Sequence, residues 1–513
     1  MRKVLTHDIP NAEIAAYALA RYSRSAKSIT DILGELTAEK SASFIDTYVT
    51  GYGHNSVKDL AHLIMTMENV SIHAAIELED EPLWDGQERS TRYQDFSKSG
   101  YYVPAELATK ESRDLSNEDA ARLYKVAVDR LFQTYQETTT ALVELIKHVI
   151  PRPVGMPEGD YKRTINARVL DVTRALLPYA TYTSVGQITS ARVLERQIAR
   201  LLASPYQEIQ DIAGDMKTAG LTRIPTLLKY SVASKSYKHL QNTVSFVVRE
   251  AFQPYKAKLT EPAQRPGVTM VDVGRGGYAD PVVEAVASMF YQHVSGLSFL
   301  SALDVARDLS ENARNTLYKN AMAGIDVHDD WYRAMYSGAG RAWDICLDTK
   351  SMQDFFRHRR CTQVRQAPFM RLFGFLEPDF NSISLSNFTP AREWFALCLP
   401  ADVLPMVSAD LYDNFDAAIG QAIAAARTLF DCWYNESAIY VLPVAYRRRA
   451  LFRMDDAQAA YVIKTRSGSG GHPAYRQAAY QMWQEYKKFN STVAEYMRVT
   501  PFSPGDTTNF LKR

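Results

Sequence analysis

The feature that most constrains this chain is that it repeats itself at long range. Thr173-Arg174-Ala175-Leu176-Leu177-Pro178 returns as Ala438-Ile439-Tyr440-Val441-Leu442-Pro443. A second echo follows each copy. Ala199-Arg200 leads through a turn to a helix start near Pro205, and Thr465-Arg466 leads through 467–471 to a helix from Pro473 carrying Ala479, Met482, Trp483 and Tyr486. A chain punctuated twice in the same way builds one fold twice from diverged sequence. The proline-rich, polar stretch Thr260 to Gly267 separates the copies, predicting a first domain over 1–262 and a second over 268–513.

Composition narrows the partners. A length of 513 residues suits roughly two to four domains, and 46% hydrophobic residues suffice for sizeable cores. Lys plus Arg number 59 against 58 for Asp plus Glu, which argues against a broad surface for a nucleic acid polymer or a membrane. Local arginine clusters therefore signal local anions. Cys346, Cys361, Cys398 and Cys432 lack metal or disulfide spacing, so a reduced, cytoplasmic setting without a metal site is expected. The N-terminus has no signal-like apolar run, and no segment reaches the ~20 apolar residues that cross a bilayer.

Periodicity places several elements. Asn11 to Ser25 reads as a helix with Ile14, Ala15, Ala18 and Leu19 on its apolar side. Gly51-Tyr52-Gly53-His54-Asn55-Ser56 is a turn into a helix. Ser71 to Ile76 reads as a strand, and its His73 as a packed histidine, because no nucleophile or second ligand stands at motif spacing. Ser116 opens a long helix through Leu123, Val126, Leu131, Leu142 and Ile146, which Pro151 ends. A further helix runs from about Ser190, and Ser204-Pro205 predicts another with Ser204 as its cap. The glycine cluster of Val268 to Gly277 invites a dinucleotide-loop reading, but it fits better as the restart of the fold, mirroring Lys3 to Leu5.

Two polar stretches carry the chemistry. Arg357-His358-Arg359 sets two guanidiniums around an imidazole, a fork of donors that is either a solvated basic turn or a seat for an anion. Far upstream stands Gln87-Glu88-Arg89-Ser90-Thr91-Arg92-Tyr93. Together they resemble the flavin-dependent thymidylate synthases, whose single signature runs Arg-His-Arg, a spacer, then Ser, Asn, Glu, Ser, Arg, Tyr. Here the signature is divided. The first copy has Asp80, Glu81 and Pro82 where Arg-His-Arg belongs but keeps Glu88, Ser90, Arg92 and Tyr93; the later copy keeps Arg357, His358 and Arg359 but has Arg365, Ala367 and Phe369 in place of Glu, Ser and Arg.

The resemblance implies an α+β fold, a mixed or antiparallel sheet with helices in each copy. It also implies a site built between subunits, here between copies of an internal pseudo-dimer, so that a homodimer imitates the family's usual homotetramer. FAD would be bound by Arg357, His358, Arg359, His54, Ser56 and Glu88. The nucleotide, dUMP or a related pyrimidine, would be bound by Glu88, Arg89, Ser90, Thr91, Arg92, Arg174, Asp354 and Arg466. Arg466 would stabilise the ionised pyrimidine, with Arg200 as its counterpart, and NADPH and methylenetetrahydrofolate would be co-substrates. The sequence departs from the family at Thr362 for serine, Asp354 for glutamine, and Asp455, Ala457 and Tyr461 at flavin positions. These departures leave open a methylase or hydroxymethylase of another pyrimidine nucleotide, or a non-catalytic nucleotide-binding scaffold.

Overall fold

Three strands end on a side chain that starts a helix. Ser71 Oγ accepts the Ala74 N–H at 2.9 Å, Ser190 Oγ the Val193 N–H at 3.3 Å, and Asp348 Oδ1 the Ser351 N–H at 2.9 Å. Each cap satisfies a donor that the first helical turn leaves unpaired, so strand becomes helix without a loop. The computed structural model of the chain describes residues 11–42, 55–255, 266–271, 281–324, 332, 334, 341–366 and 387–511, except positions 24, 36, 38, 39, 111, 113, 230, 455, 490, 495, 496 and 506–509. The linker at 260–265, the glycine cluster at 272–277, His54, Ala367 and Phe369 lie outside those residues.

The chain forms two compact units, one of Met1–Arg89 with Thr183–Lys238, the other of Ser90–Tyr182 with His239–Arg513. In the first, β1 (His62–Ser71), β2 (Asp85–Glu88) and β3 (Tyr182–Ser190) form a sheet in the order β1-β3-β2, with β2 antiparallel to β3. Helix Ile72–Leu78 follows β1, and helices Ala191–Leu201 and Gln207–Leu221 follow β3.

In the second, β4 (Gly267–Val271), β5 (Arg341–Asp348), β6 (Thr362–Arg365) and β7 (Arg447–Met454) form an antiparallel sheet in the order β4-β5-β7-β6. Helix Thr349–Phe356 follows β5, and helices Asp456–Ser467 and Pro473–Phe489 follow β7. The order β5-β7-β6 and its trailing helices thus repeat β1-β3-β2 and theirs. Both faces of this sheet are covered: Trp343, Ile345 and Phe452 pack into one core with Phe355, Met482 and Tyr486, while Ala342 and Leu451 join Phe290, Phe299 and Leu303 in another. Burying each large side chain contributes roughly 1.5–3 kcal/mol. Two arginines of β7 are matched by carboxylates, Arg449 Nε to Asp344 Oδ1 at 2.7 Å and Arg453 Nη1 to Glu284 Oε2 at 2.9 Å, while Arg447 and Arg448 donate to the backbone carbonyls of Asn387 and Gln366.

The second unit also brings the two Leu-Pro elements face to face. Tyr179 N–H donates to Leu442 O and Val444 N–H to Leu177 O, both at 2.8 Å; Ala180 N–H donates to Tyr440 O and Ala445 N–H to Ala175 O, both at 3.0 Å. Exchanging each residue for its counterpart turns one bond of each pair into the other. The helices Asn117–Val149 and Ala409–Asp431 lie against each other in the same unit.

Several expectations from periodicity are corrected. Residues 72–76 are helical, not a strand: a fully buried run carries no period, and the Ser71 cap decides it. His73 is fully buried, edge-on to Tyr206 at 4.5 Å. Helix Ala12–Tyr22 buries Glu13, Ala16, Ala18 and Ala20 and leaves Leu19 exposed. Helix Asn117–Val149 likewise leaves Val126 exposed and buries Tyr124, Val128 and Tyr135. The helix expected at Pro205 starts at Gln207, because Ser204 Oγ accepts the Tyr206 N–H in a turn instead of capping.

Candidate functional site

Helix Thr349–Phe356 delivers Arg357-His358-Arg359, and a buried glutamine fixes the turn. Gln363 Nε2 on β6 donates to Phe356 O at 3.1 Å and to His358 O at 2.9 Å. His358 is only 7% exposed, edge-on to Tyr461 at 5.8 Å. Arg466 Nε donates to His358 Nε2 at 2.7 Å, so that nitrogen is an unprotonated acceptor. Burial first, and the Arg466 guanidinium second, push the imidazole down to about 3. Asp354 Oδ1 lies 3.6 Å from Arg466 Nη1 and 3.9 Å from Arg357 Nη1. Arg357 keeps 41% of its side chain exposed.

The first copy's residues meet this cluster within the same unit. Ser90 Oγ accepts the Arg92 N–H at 3.3 Å, folding the loop back on itself. The Arg92 guanidinium is gripped by Asp171, Nε to Oδ1 at 2.7 Å and Nη2 to Oδ2 at 3.2 Å, and reaches Tyr475 Oη through Nη1 at 3.0 Å. Burial works against its charge, but the Asp171 carboxylate outweighs burial and holds Arg92 above the ordinary arginine value. The guanidinium carbons of Arg92 and Arg466 stand 5.6 and 5.5 Å from the Tyr475 ring centroid.

Beneath them lies a buried polar chain. Arg174 is 2% exposed; its Nη2 donates to Ser351 Oγ at 3.2 Å, and its Nε has no hydrogen-bond partner among the described residues. His472 caps helix Pro473–Phe489, its Nδ1 accepting the Ala474 N–H at 3.1 Å, which leaves Nε2 to donate to Asp171 O at 2.9 Å. Burial, then Arg174, push His472 well below its usual range, so it too stays neutral. Among the described residues no group of three or more His, Cys, Asp or Glu is arranged to hold a metal ion.

A neutral histidine in the folded state fixes the sign of a pH effect. The unfolded chain takes up a proton below about pH 6.5 that folded His358 refuses until about pH 3, so stability falls with pH across that window. His358→Gln, which keeps an acceptor for Arg466, is expected to flatten the pH dependence of the unfolding free energy, measured by urea denaturation, by about 1.4 kcal/mol per pH unit between pH 6 and 4. An unchanged slope would mean that His358 is not held neutral.

Other expected residues have partners or surroundings of their own. Arg200 is buried in the first unit, with Nε on Glu81 Oε1 at 2.8 Å, Nη2 on Glu77 O at 2.8 Å, and Glu77 Oε2 at 3.6 Å from Nη1. Arg196 Nε also donates to Glu81, at 3.1 Å. Where the second copy sets Arg466 on a neutral histidine, the first sets Arg200 on a carboxylate. Glu88 is buried at the end of β2, the Arg89 N–H donates to Ser184 O at 2.9 Å, Ser56 is exposed, and Thr91 is buried. Asp171, Ser351, Gln363, His472 and Tyr475 did not emerge from sequence. The available signals were an aspartate inside the apolar run Val169-Leu170-Asp171-Val172 and a histidine directly before Pro473.

Known proteins resemble this sequence in part. The family model of the thymidylate synthase complementing protein, Thy1, matches residues 3–226. Over that stretch the chain is similar to the Thy1 family. Relatives extend beyond the Thy1 region. A UPF0159 protein of Chlamydia muridarum is 26% identical over 486 residues, covering 92% of this chain and 83% of that protein. UPF0159 protein Ta1429 of Thermoplasma acidophilum is 22% identical over 511 residues, covering 93% of each. Among solved structures, a UMP/dUMP methylase PolB from Streptomyces cacaoi, bound with 5-Br dUMP, aligns at a TM-score of 0.30 and 18% identity, covering 42% of this chain and 88% of that one. No helix among the described residues is long and apolar enough to cross a membrane.

Proposed function

We propose that this chain is a flavin-dependent, thymidylate-synthase-like enzyme that methylates dUMP to dTMP at one composite site per chain. The match of the Thy1 family model to residues 3–226 supports the chemistry. The observation that carries the composite site is that Arg92 of the first copy and Arg466 of the second converge on the ring of Tyr475. Two diverged copies, 1–262 and 268–513, would form an internal pseudo-dimer, and the repeated strand order and reciprocal bonds at the Leu-Pro elements favour this. The chain then works in the cytoplasm as a homodimer that imitates a homotetramer.

Each residue has a task in this scheme. Ser90 and Arg92 hold the nucleotide phosphate by hydroxyl and forked donors, and the unpartnered Nε of buried Arg174 supplies a further donor. Arg466 faces the pyrimidine and stabilises negative charge developing on its ring, kept in place by the neutral acceptor of His358. Asp354 orients Arg466 and Arg357. The exposed guanidinium of Arg357 and the donors of Arg359 fit an anionic dinucleotide such as FAD. Bound there and reduced by NADPH, FAD would supply the electrons that convert a one-carbon unit from methylenetetrahydrofolate into a methyl group. The carboxylate of Asp354, an acceptor only where the family has a glutamine that also donates, favours a second reading, a methylase or hydroxymethylase of another pyrimidine nucleotide.

The visible spectrum of the purified chain supplied with FAD, then titrated with dUMP and separately with other pyrimidine nucleotides, tests both. Bound flavin perturbed by dUMP is the expected result. A response only to another nucleotide would select the second reading, and no flavin binding would leave a nucleotide-binding scaffold.

A further inference from the structure

We propose that Tyr475 is a positioning residue that sets the spacing between Arg92 and Arg466, and so couples phosphate binding to pyrimidine activation. This rests on the nucleotide site proposed above. Tyr475 is 5% exposed and belongs to neither arginine cluster by sequence, yet both guanidiniums lie against its ring and its hydroxyl accepts the Arg92 Nη1–H at 3.0 Å. Two like charges brought this close repel, and an aromatic face offsets that repulsion while fixing both planes.

The backbone around the ring is shaped to admit it. A Cβ on Gly471 would stand 2.5 Å from Tyr475 Cε2 and 2.9 Å from Arg476 Cγ, so only glycine leaves room for the ring where it lies. The Gly471 N–H donates to Gly468 O at 3.0 Å, and His472 caps the helix that carries Tyr475 while donating to the Asp171 carbonyl. Asp171 is the residue that grips Arg92. One short segment, Gly471-His472-Pro473-Ala474-Tyr475, therefore places the ring and holds the backbone of the residue orienting Arg92.

The test uses the full chain as wild type, Tyr475→Phe and Tyr475→Leu, with melting curves to verify folding. It reads dUMP affinity by calorimetry and, without ligand, the Nε–H resonances of Arg92 and Arg466. Phenylalanine keeps the ring and loses the acceptor, so the Arg92 resonance alone should move and affinity should fall about tenfold. Leucine removes the ring, so both resonances should move and affinity should fall about a hundredfold. If the leucine variant does not fold, Gly471→Ala keeps the tyrosine but displaces its ring and should also move both resonances. An Arg466 resonance that stays put when the ring is removed or displaced, or a folded leucine variant that binds dUMP like wild type, would overturn the proposal. If the wild type binds no pyrimidine nucleotide, the function proposed above fails by itself; both resonances moving then still supports Tyr475 as the spacer, and one moving overturns it.

Discussion

Arg466→Ala is expected to lower kcat/KM for dUMP by about a thousandfold or more, the scale seen when a preorganised donor to developing charge is removed. Its guanidinium is held by His358 at 2.7 Å and flanked by Asp354 at 3.6 Å, so it is already oriented before any ligand arrives. The corresponding change in the first copy should behave differently. Arg200 is bound to Glu81 and Glu77, and Arg200→Ala removes the partner of buried carboxylates. It should destabilise the fold by about 3 kcal/mol and leave turnover per folded molecule unchanged. Steady-state kinetics beside urea denaturation separate the two outcomes. Arg466→Ala retaining more than a tenth of wild-type kcat/KM would remove the role assigned to it.

Asp171→Asn is the second large effect. The carboxylate is 1% exposed, and both its oxygens are taken by Arg92. Asparagine preserves the shape but leaves a mostly buried guanidinium without its counter-charge, at a cost of about 3 kcal/mol. Arg92 also loses its bidentate orientation, so KM for the nucleotide should rise about tenfold with kcat less affected. The contact of His472 with the Asp171 backbone carbonyl should survive, because it does not involve the side chain. Wild-type stability in Asp171→Asn would show that the pair is not the anchor of Arg92.

How much was legible beforehand follows from where each signal resides. Serine and proline punctuation located the long helix from Ser116, because capping is chemistry between near neighbours, and the apolar side through Val193, Leu194 and Ile198 located the helix from Ser190. Ser204 misled for the same reason, since its hydroxyl can equally close a turn. The run 72–76 was unreadable by period because all of it is buried. Arg357, His358, Arg92 and Arg466 were visible as motif residues, and the structure gathers them in one unit. What holds them was not visible. Asp171 reaches Arg92 across 79 positions and Tyr475 across 383, and such contacts leave no mark in the local sequence. Nor does spacing reveal that Arg200 and Arg466, similar in context, face a carboxylate in one copy and a histidine in the other.

One chain is expected to hold one complete site made from both copies, and pairing two inactive variants decides it. Arg92→Ala and Arg357→Ala are prepared singly, then co-expressed so that mixed dimers form, and turnover of dUMP is measured. If both changes damage the same intrachain site, each single variant is inactive and the mixed dimers stay inactive, which is the result expected here. Recovery of activity in the mixed dimers, or full activity in either single variant, would contradict a composite site within one chain.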